Sequence, residues 1–146
     1  DESLKVVSLD TSARTALEAA SSLKCEIGAI VKSLLFRTDK NFILCLVAGD
    51  KKVSLNKIKK TLSIKDVSMA SAEEVKNITG FTIGGVSPVG NLKKIDIYID
   101  DSLDRFKDLY AAAGHPNCIF KINFINLIKI TKGSIKDITE WDNLNY

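Results

Sequence analysis

The sequence predicts an α+β fold: a mixed, mostly antiparallel central sheet with helices packed around it. Three observations carry that expectation. Ile27 to Phe36 and Phe42 to Ala48 are apolar runs joined by the polar stretch Arg37-Thr38-Asp39-Lys40-Asn41, which reads as two central antiparallel strands and a hairpin-like turn. Ile95, Ile97 and Ile99 alternate with Asp96, Tyr98 and Asp100, the period of a half-buried strand. Segments of helical period are interspersed, in an order that is neither a regular βαβ alternation nor all-β.

Each element has its own warrant. Leu4 to Leu9 is a short strand rich in β-branched residues. Asp10 or Thr11 can cap a helix whose inner face is Ala13, Ala16, Leu17, Ala20 and Leu23, small enough to pack closely on a sheet. Ser54 to Leu62 carries Leu55, Ile58 and Leu62 at helical spacing, with lysines opposite. Val67 and Met69 suit a short strand. Ser71-Ala72-Glu73-Glu74 is a capping-box pattern opening a helix with Ala72, Val75 and Ile78 on one face, and Gly80 stops it. Asp101 or Ser102 starts a short helix with Leu103 and Phe106. Leu109 to Ala113 reads as a strand ending in the turn Gly114-His115-Pro116-Asn117. Cys118, Phe120, Ile122 and Phe124 alternate with Ile119, Lys121 and Asn123 as a further strand. Asn123 or Asn126 begins a last helix, with Lys132 in its final turn and Gly133 beyond. Ser134 to Tyr146 gives no signal.

The 146 residues are read as one domain, 1–146, with 45% apolar and 27% charged residues, an ordinary globular balance. No apolar run approaches the ~20 residues needed to span a bilayer. Asp1 to Leu9 has no basic flank, long apolar core or cleavage-like site, and the absence of an initial Met fits a trimmed or processed chain. Cys25, Cys45 and Cys118 are odd in number and widely spaced, which argues against a disulfide framework and for a reducing cytoplasm. The net charge of +3 permits a nucleic-acid partner without demanding one. Lysines are grouped at Lys51-Lys52, Lys57-Lys59-Lys60-Lys65 and Lys93-Lys94, as solvated faces or as contacts for an RNA backbone.

Gly80 to Asn91 is the most unusual stretch, holding four of the eight glycines and one of the two prolines. It is either a tight connection or a loop whose backbone N–H groups converge on an oxygen-rich group. It lacks the Gly-Lys-Ser/Thr of a phosphate loop and the Gly-x-Gly-x-x-Gly order of a dinucleotide site. Lys32 interrupts an apolar strand, so its ammonium either snorkels to an edge or faces a polar cavity.

Side-chain chemistry is sparse. With one histidine, mechanisms needing two are excluded. His115 and Cys118 could form a nucleophile–base pair across a turn, no spacing supports a zinc site, and Asp100-Asp101 reads as a turn or helix cap before a metal site. No metal or cofactor is expected. A glycine loop, one lysine and one histidine could still bind an ester carbonyl and a phosphate, with catalysis resting on positioning and backbone electrostatics.

These residues resemble the YbaK / prolyl-tRNA synthetase-associated domain family of trans-editing aminoacyl-tRNA deacylases. The resemblance is carried by Ile30-Val31-Lys32-Ser33-Leu34-Leu35-Phe36, Val47-Ala48-Gly49-Asp50, Phe81 to Gly90, Ala111 to Asn117 and Leu127 to Gly133. It implies a curved central sheet, a pocket between sheet and helices, and hydrolysis of the ester joining a wrong, small amino acid to a tRNA 3′ end. It also implies site residues. Lys32 stands at the family's strand lysine, which engages the terminal adenosine or its phosphate. Gly84, Gly85, Val86, Ser87 and Pro88 stand at the Gly-x-x-x-Pro loop, whose backbone holds the carbonyl. Ser33, Gly114 and His115 are given substrate-binding roles. The tRNA's own ribose hydroxyl would assist the attacking water, which accounts for the lack of a protein base. Ser87 stands where many relatives have a second proline, Asn91 where some have histidine, and Ser33 where other branches have Thr or Asn.

The expected protein is therefore a free-standing cytoplasmic enzyme whose partner is a mischarged tRNA, with an aminoacyl-tRNA synthetase as a further candidate partner from which specificity could be borrowed. The rival readings are a non-catalytic tRNA- or synthetase-binding module of the same fold, a thiol hydrolase using Cys118 and His115, and a domain binding a phosphorylated small ligand at the glycine loop.

Overall fold

A computed structural model describes residues 5–8, 16–115 and 118–142. Ten strands and four α-helices follow one another in the order β1 (Lys5–Ser8), α1 (Ala16–Leu23), β2 (Ile30–Thr38), β3 (Phe42–Ala48), β4 (Lys51–Val53), α2 (Leu55–Leu62), β5 (Val67–Met69), α3 (Ala72–Thr79), β6 (Asp96–Asp100), β7 (Leu109–His115), β8 (Cys118–Ile122), α4 (Phe124–Thr131), β9 (Ser134–Lys136) and β10 (Thr139–Trp141). The large sheet runs β1-β8-β7-β2-β3-β6-β9, with β5 also paired to β2, and β4 and β10 form a separate ribbon. Five strand pairs are antiparallel and three parallel, so the mixed, mostly antiparallel class holds. No helix among the described residues is long and apolar enough to cross a membrane.

The two apolar runs are the central pair: β2 and β3 align antiparallel from Val31↔Ala48 to Arg37↔Phe42. Alternation then sends side chains to two cores. Val31, Leu35, Leu44, Leu46 and Ala48 face Val86, Ile99, Leu109, Phe120 and Leu127. Phe36, Ile43, Cys45 and Val47 face Ile58 and Ile138. Burial on both faces is why β3 reads as continuously apolar. Burial, with Asp100 nearby, pushes the Cys45 thiol up to about 12, so it packs as a small neutral group.

Helix boundaries follow local chemistry. Ser54 Oγ accepts from Lys57 N at the start of α2, and Asn123 accepts from Asn126 N at the start of α4. Ser71 and Glu74 form the full capping box of α3, which ends on left-handed Gly80. Lys132 itself, at φ 56°, is the left-handed C-cap of α4, one residue earlier than the glycine.

The proposed caps Asp10 and Thr11, and Ala13, lie outside the described residues. Elsewhere the structure departs from the sequence expectations in several places. In α1 the buried residues are Ala19 and Ala20, whereas Leu17 is 53% exposed. A Cβ on Gly49 would lie 2.9 Å from that of Ala16, so contact with this turn admits only small side chains. In α3, Ala72 is exposed in the first turn and Thr79 is buried instead. Gly114 and His115 belong to β7 rather than to a turn, because a register shift between Ala112 and His115 accommodates Gly114 at φ 97°. Finally, β4, β9 and β10 have no sequence signal.

The tail is nevertheless pinned firmly. Asp100 is buried and caps a 3-10 turn over Asp101–Arg105; its carboxylate accepts from Ser102 N and Ser102 Oγ, from Ile138 N at 2.9 Å and from Thr139 Oγ1 at 2.9 Å. Ile138 O accepts from Ser54 N, and Thr139 O from Lys57 Nζ. Asp100→Ala would leave several buried donors without an acceptor, at about 1–3 kcal/mol each. We expect a loss of at least ~3 kcal/mol, read from the urea midpoint; an unchanged midpoint would show that the tail is held some other way.

Candidate functional site

Strand β2 is built with a gap along one edge. It pairs with β7 only at Ile30 and Val31, and with β5 only from Phe36 to Thr38. Lys32, Ser33 and Leu34 therefore have no strand partner on that edge among the described residues. All three line a cavity of about 330 Å³. Ile83, Gly84 and Val86 of the glycine loop line it too, with Ala16, Ala19 and Ala112 beside the larger Ile30, Tyr110 and Ile119.

Local geometry fixes the loop. At its start, Thr79 Oγ1 donates to Val75 O and accepts from Phe81 N, and at its end Leu92 N and Lys93 N donate to Thr79 O and Ile78 O. Both loop ends are thus tied to the last turn of α3. Within it, Gly85 N donates to Thr82 O across a turn that holds Gly84 at φ 88°, in the left-handed region that favours glycine. Val86, Ser87 and Pro88 are buried, and Ser87 Oγ accepts from Val89 N. The loop is thus tied to the fold at both ends and buried over Gly85 to Pro88.

Lys32 lies half-buried, and its Nζ donates to Lys51 O of β4 at 2.5 Å. Of the two options for a lysine in an apolar strand, it takes a hybrid: the residue lines the cavity while its ammonium is held by a main-chain carbonyl of β4. Desolvation lowers its pKa, against which Asp142 and Asp50 act to raise it. Ser33 Oγ is buried and has no hydrogen-bond partner among the described residues, as is Asn91 Oδ1. Each such atom carries a desolvation cost until a donor or acceptor meets it.

Of the sequence-derived candidates, Lys32, Ser33, Gly84 and Val86 share the cavity wall, whereas Gly85, Ser87 and Pro88 support the loop from behind. Gly114 and His115 do not line it. Gly114 instead packs against the Phe81 ring, 3.1 Å from where a Cβ would stand, and His115 is exposed at the end of β7. His115 and Cys118 are direct partners across the β7–β8 ladder, but this pair also stands apart from the cavity. Sequence reasoning missed Asp142, the one carboxylate on the cavity wall among the described residues, which arrives on the tail segment and donates its N–H to Asp50 O. It missed Tyr110 and Ile27 as well, which carry no signal beyond apolar pattern. Asp100, Asp101 and Asp137 come within 4.8 Å of one another, yet Asp100 is occupied by its four donors and serves as a cap.

Comparison with known proteins agrees with this architecture. A family model described as the aminoacyl-tRNA editing domain matches residues 10–130. The proline–tRNA ligase of Caldicellulosiruptor bescii is 33% identical over 132 residues, covering 88% of this chain and 22% of the ligase. The chain thus spans about a fifth of the length of such ligases. The uncharacterised protein YwhH of Bacillus subtilis is 35% identical, over 80% of this chain and 74% of its own length. A crystal structure of a proposed trans-editing enzyme for prolyl-tRNA synthetase superposes with a TM-score of 0.89 at 39% identity, covering 94% of this chain and 87% of that one. Sequence and fold converge, and the chain belongs to the YbaK-like aminoacyl-tRNA editing domain family.

Proposed function

We propose that this chain is a trans-editing hydrolase that cleaves the ester of mischarged aminoacyl-tRNA carrying a small amino acid. The observation that carries this reading is the single cavity that Lys32, Ser33, Gly84 and Val86 share along the unpaired edge of β2. A positive amine, unpaired strand backbone and a glycine loop suit a substrate that is an ester at one end and a polyanion at the other.

In this reading Lys32 engages the terminal adenosine or its phosphate and orients the ester, its Nζ held in place by Lys51 O. The Gly85 N–H is committed to Thr82, so the carbonyl would be met by the N–H groups of Gly84 or Val86. Ser87 and Pro88 shape the loop. Asp142 is complementary to the free α-ammonium of the aminoacyl group, and Ser33 Oγ offers it a further polar contact. Water, assisted by the tRNA's own ribose hydroxyl, attacks the carbonyl; the C–O bond to the ribose breaks and the departing ribose oxygen takes a proton. Gly114 and His115 would act from the loop's flank, through Phe81 and the rim of β7. A cavity of about 330 Å³ bounded by apolar side chains suits a small amino acid, but a pocket separates amino acids that differ by one methylene by only about 1–3 kcal/mol. Recognition of the tRNA, or a synthetase partner, would add the remainder.

A panel of tRNAs mischarged with alanine, serine, threonine or cysteine tests the reading directly. We expect selective hydrolysis of one or two. Hydrolysis of none, with tRNA binding retained, would favour a non-catalytic binding module.

Lys32→Ala should lower kcat/KM about 100-fold or more while leaving the circular dichroism spectrum unchanged. Because burial lowers the Lys32 pKa, its proton is lost at a lower pH than from an exposed lysine. After subtraction of spontaneous hydrolysis, the wild-type rate should therefore fall on the alkaline side below the ordinary lysine range, and Lys32→Ala should lack that limb. A well-folded variant with unchanged turnover would remove Lys32 from the mechanism.

Gly84→Val forces a β-branched residue into the left-handed region beside the cavity. We expect loss of most deacylation without loss of the folded state; full activity would exclude the loop.

A further inference from the structure

We propose that Trp141 is a stacking platform for an unpaired base of the RNA 3′ strand as it enters the cavity. The proposal rests on the deacylase reading for the identity of that strand. Trp141 is the sole tryptophan of the chain and is 59% exposed, although a large aromatic ring ordinarily gains by burial. Two cations lean on it: Lys51 Nζ is 3.7 Å from the ring centroid and Arg105 Cζ is 5.1 Å away. Asp50 holds Arg105 by two bonds, Nη1 to Oδ2 at 2.9 Å and Nη2 to Oδ1 at 2.7 Å.

The position of the ring adds a second argument. Trp141 pairs with Lys51 across the β4–β10 ribbon, and the Lys51 carbonyl holds the Lys32 ammonium. The next residue, Asp142, lines the cavity. The ring therefore stands one residue along the chain from the cavity wall, and one strand from the amine that would grip the terminal nucleotide. A 3′ strand that leaves the cavity along the β4–β10 ribbon passes this ring.

Charge separates RNA from a protein partner. Two neighbouring carboxylates are matched, Asp50 by Arg105 and Glu140 by Lys52 at 3.7 Å; Asp142 lines the cavity, and Asp101 lies within electrostatic reach of Lys51. Lys51 remains on the ring, and Lys52 follows it on β4. An exposed aromatic ring among lysines matches single-strand recognition, in which bases stack and phosphates meet cations. A protein-docking patch would instead gather apolar neighbours.

The single tryptophan makes the test direct. A short single-stranded RNA with the sequence of a tRNA 3′ end should quench Trp141 fluorescence saturably, and more weakly as salt rises. Trp141→Ala should raise KM for mischarged tRNA about 10-fold with kcat preserved, and Trp141→Phe should recover part of the loss. Lys51→Gln, which keeps the main-chain carbonyl, should weaken RNA binding at low salt. Absence of quenching by RNA, quenching by a synthetase alone, or an unchanged KM in Trp141→Ala would overturn the platform. Quenching by RNA in a wild-type chain that hydrolyses no mischarged tRNA would support the platform and overturn the deacylase reading, so the two fail separately.

Discussion

A single buried carboxylate, that of Asp100, holds together the parts of this molecule that have least reason to meet. A carboxylate withdrawn from water is costly unless donors surround it, and Asp100 accepts from Ser102 twice, from Ile138 and from Thr139. Two of those donors belong to the tail. Once they are fixed, β10 can lie against β4, the Lys51 carbonyl sits where Lys32 can reach it, and Asp142 arrives at the cavity. Fold and site share one anchor.

The site reflects a compromise in sheet construction. A fully paired β2 would bury all its main-chain groups and leave no access. Here β7 and β5 each take one end of the edge, and the stretch between them lines a cavity together with the glycine loop. Fold stability is lost there: a partly desolvated amine and a serine hydroxyl with no partner among the described residues both carry a cost. Such local costs mark this cavity as a candidate site.

What the sequence made legible was what local chemistry determines. The Ser71–Glu74 capping box, the Gly80 stop and the continuous apolar run of β3 each have one short-range cause. Lys32 was visible because a charge in an apolar strand has few explanations. By contrast, β4, β9 and β10 have three residues each and form only against partners far away in the chain, so no periodicity marks them. The inward face of α1 was misjudged at Leu17 because its orientation is set by contact with the Gly49 turn rather than by the helix's own pattern. Gly114 reads as a turn residue, yet its left-handed φ serves a bulge inside a strand. Asp142 could not be seen at all, since only the anchoring of the tail brings it to the cavity.

The cavity lining joins positions of unequal freedom. A substitution cannot delete a peptide N–H of the glycine loop, short of introducing proline, and Ala16 and Ala19 are held small by the packing of α1, whereas Ile83 stands exposed on the loop and can be exchanged with little effect on the strands behind it. The part of the lining that can drift in heredity is thereby separate from the part that cannot: descendants of one gene could re-cut the rim and keep the same frame. A scaffold of this kind diversifies by single steps at its edge.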